Sequence, residues 1–201
     1  MTHHAKKTRA FMAFTPPAQV AAEIKTLQQA LGRHRLNIKW VVPENIHLTL
    51  KFLGDITPDE IDAARQAAAQ TTTALYSPLS VTLRGIGVFP NYKRPRVIWT
   101  GLSGETAPLF EFQKNLDTNL ENAGFKKESR PFKAHLTIGR IKSAMDGKTL
   151  GAALENFLDF QSKPFYLETF ILYKSVLSPQ GPTYTRLAEF PLSDAKKEQQ
   201  L

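Results

Sequence analysis

The sequence predicts an α+β fold: a bilobal molecule with two mainly antiparallel sheets and flanking helices around a central cleft. Three observations carry this expectation. Apolar spacings of period 2 and period 3.6 are mixed along the chain, without the regular strand–helix alternation of a doubly wound sheet. Several strand candidates follow one another through turns too short for a parallel crossover, so they must pair antiparallel. One four-residue pattern also occurs twice, as His47-Leu48-Thr49-Leu50 and as His135-Leu136-Thr137-Ile138. A motif strand, a helix and further strands recur from residue 46 and from residue 132, and a twofold-like pair of lobes would bring both motifs to one groove.

Taken in order, residues 10–14 are an apolar run ended by Pro16-Pro17, which reads as a buried strand. Val20, Ile24, Leu27 and Leu31 then fall on one face of a helix over residues 17–31, with Gly32 as its stop signal. Residues 38–42 read as a strand, and Pro43-Glu44-Asn45 turns the chain into the first motif strand, residues 46–53. Thr57, Pro58 and Glu60 form a capping box with proline at the first helical position, opening a helix that runs to about residue 69. Three strand candidates follow, at residues 79–84, around Gly87-Val88-Phe89, and at 96–100. Leu109, Phe112, Leu116 and Leu120 repeat with helical spacing up to Gly124. The second motif strand spans residues 132–141, a short helix 150–158, and a long strand 165–176. A loop over 178–182 returns the chain through a last strand, residues 183–189. One domain is expected over residues 8–192, with flexible polar tails at 1–7 and 193–201.

Of 201 residues, 42% are apolar, enough for a sizeable core. The absence of cysteine excludes a disulfide scaffold and any thiolate zinc site, and fits a reducing cytoplasm. The basic N-terminus lacks the apolar stretch of a signal peptide, and no run reaches the roughly 20 apolar residues that span a bilayer. A cytoplasmic protein without a membrane partner is expected. A net charge of +8 favours a polyanion as partner, nucleic acid first, although mild basicity also serves solubility.

On a strand, His47 and Thr49 point the same way, about 6–7 Å apart, as do His135 and Thr137, while the intervening residues face the core. Histidine gains and loses its proton nearest neutral pH, so two imidazoles can serve as base and acid in one turnover. Threonine hydroxyls are neutral donors to phosphoryl oxygens. This set suits hydrolysis of a phosphodiester without a metal or other cofactor, and the strain of a cyclic phosphate ring assists the leaving group. A zinc site would want three or four ligands, and the chain has no cysteine, no His-x-x-x-His and no carboxylate at matching spacing. No Gly-x-Ser-x-Gly elbow is present either.

These residues resemble the 2H phosphoesterase superfamily, and most closely its RNA 2′,3′-cyclic phosphodiesterases, once called 2′-5′ RNA ligases. The resemblance runs through Pro43-Glu44-Asn45-Ile46-His47-Leu48-Thr49-Leu50-Lys51-Phe52-Leu53-Gly54-Asp55. It continues through Arg96-Val97-Ile98-Trp99 and Arg130-Pro131-Phe132-Lys133-Ala134-His135-Leu136-Thr137-Ile138-Gly139-Arg140, and ends at Gly181-Pro182-Thr183-Tyr184. Ala134 departs from it, since many relatives carry proline there. The resemblance implies metal-free hydrolysis of a terminal 2′,3′-cyclic phosphate to a 2′-phosphate. It assigns His47 as proton donor to the departing 3′ oxygen and His135 as the base that activates water. It also implies a possible reverse ligation; symmetric motifs alone would permit either division of roles.

Arg130 and Arg140 bracket the second motif as candidate phosphate ligands. Strict alternation from His135 puts Arg140 on the opposite face, unless Gly139 hosts a bulge that re-aims it. Phe52 reads as core by the same alternation, and Lys51 as a solvated charge. The expected partner is RNA or a nucleotide ending in a 2′,3′-cyclic phosphate, bound by a monomer. Two alternatives stay open: a non-catalytic RNA-binding module, and a phosphodiesterase of small cyclic nucleotides.

Overall fold

A computed structural model of the chain describes residues 6–73 and 77–192, so the expected tails lie outside it apart from Lys6 and Lys7. Its elements are β1 (Thr8–Phe14), α1 (Ala18–Gly32), β2 (Ile38–Trp40), β3 (Leu48–Ile56), α2 (Pro58–Thr72), β4 (Leu79–Phe89), β5 (Val97–Gly104), α3 (Thr106–Asn122), β6 (His135–Ile141), α4 (Gly147–Glu155), β7 (Phe165–Leu167), β8 (Thr169–Ser178) and β9 (Gly181–Pro191). The class is α+β, as predicted.

Local chemistry accounts for most boundaries. Thr57 accepts from the Glu60 backbone while the Glu60 carboxylate accepts from the Thr57 N–H, so the capping box opens α2. That helix extends to Thr72 because the hydroxyls of Thr71, Thr72 and Thr73 donate back to the carbonyls of Ala67, Ala69 and Gln70. The candidates at 79–84 and 87–89 are one strand, β4. Gly85 is its extra residue, at φ +69°, opposite the step between Gly101 and Thr100. The long strand expected at 165–176 is split at Glu168 into β7 and β8.

The strands run in the order β7-β4-β5-β6-β3-β1-β8-β9, every pair antiparallel, with β2 added beside β6. Two sheets were expected from the repeat; hydrogen bonding instead makes one, because β3 and β6 meet at a single register pair, Leu48 with Leu136. Either side of that waist lie β7-β4-β5-β6 and β3-β1-β8-β9. Each half of the sequence lends strand to the other side: β4 of the first half pairs with β5, and β8 of the second pairs with β1 and carries β9 with it. The Leu48–Leu136 pair therefore relates the two motifs by an approximate twofold.

The four α-helices of the described residues pack on one face of this sheet. Val20 and Ile24 of α1, Ala64 of α2, Phe112 and Leu116 of α3, and Leu150 of α4 are buried in the main core with Met12, Phe14, Leu48, Leu136 and Ile138. Phe14, Phe112 and Phe170 form its aromatic centre, with ring centroids 5.1–5.9 Å apart; burying each such ring is worth about 1.5–3 kcal/mol. Residues of opposite parity turn away from the helices. Phe11, Ala13, Ile171 and Tyr173 make a second, smaller cluster there, with Tyr184 packed against it.

Candidate active site

Both motif histidines stand at the very start of their strands. A 3₁₀ turn at Pro43–Asn45 delivers His47, and β3 begins one residue later. His135 is the first residue of β6. Nδ1 of His47 lies 2.8 Å from the Asn45 carbonyl oxygen, and Nδ1 of His135 lies 2.6 Å from that of Lys133. A carbonyl only accepts, so Nδ1 carries the hydrogen in both rings. Each imidazole is thus fixed by the carbonyl two residues upstream, and each neutral ring presents an unprotonated Nε2.

Aromatic rings hold both imidazoles on the face turned away from the helices. His47 lies against Phe11 (centroids 4.8 Å apart) and meets Tyr184 edge-on at 5.3 Å. His135 meets Phe89 edge-on at 4.9 Å and Trp99 at 6.4 Å. Burial, followed by the positive charges of Arg140 and His135, pushes the His47 pKa down to about 4, against the opposing pull of its bond to Asn45. Burial and the Lys133 charge likewise lower His135, less strongly. Both are neutral near pH 7 in the ligand-free protein. Arg140 also acts on Tyr184, whose phenol is raised mainly by burial.

Thr49 and Thr137 follow on the same face by alternation. Thr15 and Thr100 use their hydroxyls on protein partners, whereas among the described residues neither Thr49 nor Thr137 has one, so both can donate to a ligand. Directly after each threonine the strand carries one extra residue. On β3 it is Leu50, since Met12 pairs with Lys51 and Ala13 with Thr49. On β6 it is Ile138, since Ile98 pairs with Gly139 and Trp99 with Thr137. A bulge inverts the facing of everything beyond it.

Three expectations turn on these bulges. Arg140 is exposed and returned to the histidine face, as the Gly139 reading allowed; its charge reaches both His47 and Tyr184. Phe52, expected in the core, is instead 61% exposed and packs on Phe11 at 5.9 Å. Lys51, expected to be a solvated charge, is 6% exposed and ion-paired with the buried Asp117, also donating to the Lys126 carbonyl. Buried glutamines bind the carbonyls of the extra residues. Gln28 of α1 donates to Ile138 (2.9 Å) and Val41 (2.8 Å), and Gln113 of α3 donates to Leu50 (3.3 Å).

Of the predicted site residues, the structure brings together His47, His135 and Arg140, with Thr49 and Thr137 on the same strands. It leaves Arg130 apart, its side chain 82% exposed and forked onto Glu128. Phe11, Phe89, Trp99 and Tyr184 are site neighbours that composition could not single out, because β1 is apolar on both faces and no local pattern marks which ring meets a histidine. Among the described residues no group of three or more His, Asp or Glu side chains is placed to hold a metal ion. No helix there is long and apolar enough to cross a membrane.

The family described as LigT like phosphoesterase matches this sequence over residues 14–99 and 101–184, one motif in each stretch. An RNA 2′,3′-cyclic phosphodiesterase of Methanocaldococcus jannaschii is 36% identical over 182 residues, 90% of this chain and 99% of that protein. One from Aquifex aeolicus is 33% identical over 189 residues, 93% and 98% of the two chains. Among solved structures, TT0787 of Thermus thermophilus superposes with a TM-score of 0.75 at 29% identity, covering 92% of this chain and 97% of its own. E. coli LigT complexed with 3′-AMP shares the fold, with a TM-score of 0.74 at 22% identity and coverage of 94% and 99%.

Proposed function

The chain belongs to the LigT like phosphoesterase family, and from that premise we propose that it hydrolyses RNA 2′,3′-cyclic phosphate ends to 2′-phosphates, in the cytoplasm and without a metal. The observation that carries this reading is the matched pair of imidazoles. Each has its Nδ1 tied to a carbonyl two residues upstream, its Nε2 available, and, on the same strand, a threonine hydroxyl without a hydrogen-bond partner among the described residues.

The phosphorus of the cyclic ester sits between the two Nε2 atoms. His135 Nε2 takes a proton from water as the water oxygen bonds to phosphorus. The bond from phosphorus to the 3′ oxygen breaks, and that oxygen receives the proton carried by His47 Nε2. The product is a 3′ hydroxyl beside a 2′-phosphate, and solvent exchange resets the two protons. Thr49 and Thr137 donate to the non-bridging oxygens, and the Arg140 guanidinium offsets the charge that grows on them. His47 is neutral in the free protein, but an anionic phosphoryl group beside it favours the imidazolium, so substrate brings the acid to readiness. The exposed ring of Phe52 offers a stacking surface for the terminal base. A 5′ hydroxyl in place of water would attack the phosphorus by the same steps, with the 3′ oxygen leaving again, and the product would be a 2′-5′ linkage, which is ligation.

The test is incubation of RNA ending in a 2′,3′-cyclic phosphate, with EDTA present, followed by identification of the terminal phosphate. A 2′-phosphate formed by the wild type, and lost in His47→Ala and His135→Ala, is expected. A 3′-phosphate, activity abolished by EDTA, or full activity in either variant overturns the reading. A non-catalytic RNA-binding module would bind RNA and yield no product.

A further inference from the structure

Beyond Arg140, β6 runs on into a second basic feature. The Ile141 N–H bonds to the Arg96 carbonyl on one side and the Lys142 N–H to the Asn37 carbonyl on the other, so the strand geometry persists to Lys142. Here the end of β6 and the loop between β4 and β5 enclose a surface cavity of about 370 Å³, within the range of small-ligand sites. Lys93, Arg94, Arg96 and Lys142 line it together with Ser143, Pro95 and Ile141; among the described residues no carboxylate lines it. Among the described residues none of the four cations makes an ion pair. The nearest acid in sequence, Asp146, accepts from the backbone and hydroxyl of Thr149 and caps α4 instead.

The loop is built to hold this shape. Asn91 Oδ1 accepts from the backbone N–H of Lys93 (3.0 Å) and of Arg94 (3.1 Å), which fixes the turn that carries both cations. Gly147, at the start of α4, lies so close to the Tyr92 carbonyl that no side chain would fit between them. Four uncompensated cations around one concavity repel one another, and an anion in it relieves that repulsion.

Lys142 is five residues past Thr137, roughly 15 Å along the strand. That is too far to touch the cyclic phosphate held by the motifs, yet along the path of a chain leaving them past Arg140. We propose that this cavity is a subsite for the backbone phosphates of the RNA strand upstream of the cyclic end, which makes the enzyme favour oligonucleotides over nucleoside cyclic phosphates. The subsite rests on the hydrolytic reading above for its link to catalysis, but not for its affinity.

The test compares wild type with the double variant Lys93→Glu/Arg94→Glu, with Lys25→Glu/Lys114→Glu on α1 and α3 as a control of equal charge, each first matched for thermal melting. For a single-stranded oligoribonucleotide ending in a 2′,3′-cyclic phosphate and for a nucleoside 2′,3′-cyclic phosphate, kcat/KM is measured across a salt series. The ratio of the two should fall about 10-fold or more in the loop variant. Its dependence of log kcat/KM for the oligomer on log salt should flatten by about 1.4, the loss of two single-strand phosphate contacts. An unchanged ratio, or an equal fall in the control, overturns the subsite and leaves the hydrolytic reading standing. Fluorescence anisotropy with a labelled oligomer lacking a cyclic end separates the opposite case. Tight binding by the wild type, lost in the loop variant, supports the subsite even if no hydrolysis occurs; equal binding by both overturns it.

Discussion

Gln28 Nε2 donates to the carbonyl of Ile138, joining helix α1 to the residue that β6 inserts between its register pairs with β5. Gln113 does the same for Leu50 of β3 from helix α3. The two bulges that turn Arg140 and Phe52 toward the histidine face are therefore both held from below by a buried amide. Gln28→Leu keeps the bulk and leaves the Ile138 and Val41 carbonyls without their Gln28 donor. It should cost about 1–3 kcal/mol of stability, read by urea unfolding, and raise KM several-fold more than it lowers kcat as Arg140 loses its aim. Loss of stability with KM untouched would show that the bulge holds without the amide.

A second prediction follows from the lowered imidazoles. The productive form holds one proton between His47 and His135, and both groups of the free protein titrate below 6.5. The profile of kcat/KM reports the free enzyme, so its bell should peak on the acid side of pH 6.5. It should fall about tenfold per pH unit on the alkaline limb. Bound phosphate raises both groups, so the kcat profile should lie at higher pH. A kcat/KM optimum above pH 7.5 contradicts this assignment. The same shift makes the unfolded chain bind more protons than the folded one between pH 6.5 and about 4. Stability present above 6.5 is then lost as the pH falls through that window, and His47→Gln should flatten the fall in Tm.

The motif strands were legible because the period of two is written into them: His47 and Thr49, like His135 and Thr137, share a face whatever the rest of the chain does. The capping box at Thr57 and Glu60 was equally local. What sequence could not show was the change of phase after each threonine. Leu50 and Lys51 read as one inward and one outward residue, yet both lie inside, and a lysine is hidden because Asp117, 66 positions away, waits for it. Phe52 is exposed for the same reason. A bulge is decided by which partner strand and which helix amide meet it, and neither is near in sequence. For Arg140 the sequence left both faces open, alternation setting it opposite His135 and Gly139 offering a bulge; a Cβ on that glycine would come within 2.7 Å of Ile38 and 3.0 Å of Trp40. The joining of the two sheets through Leu48 and Leu136 rests on one long-range pair and had no local signal.

The threonines give a third prediction. Thr49→Val and Thr137→Val keep shape and remove only a hydroxyl that has no hydrogen-bond partner among the described residues, so folding should be unaffected. Each should lower kcat by about 10²–10³ if it donates to a phosphoryl oxygen in the transition state. A loss expressed in KM alone would make them ground-state ligands, and no loss would remove them from the site.

The Lys51–Asp117 pair gives the fourth. It ties β3, three residues past the second position of the motif, to helix α3, and both partners are nearly closed to water. Replacing one member strands the other as a buried, unpaired charge, at a cost of about 3–5 kcal/mol. Lys51→Met should therefore lower Tm sharply. An apolar pair of similar volume restores packing without the charges, so Lys51→Met/Asp117→Leu should recover most of that stability. Activity separates two roles for the pair. If Lys51 only fills space, the double variant regains both Tm and kcat/KM. If its bond to the Lys126 carbonyl and its pull on Asp117 set the bulge at Leu50, then Tm returns while kcat/KM for base-bearing substrates stays low, because Phe52 and Thr49 sit on either side of that bulge.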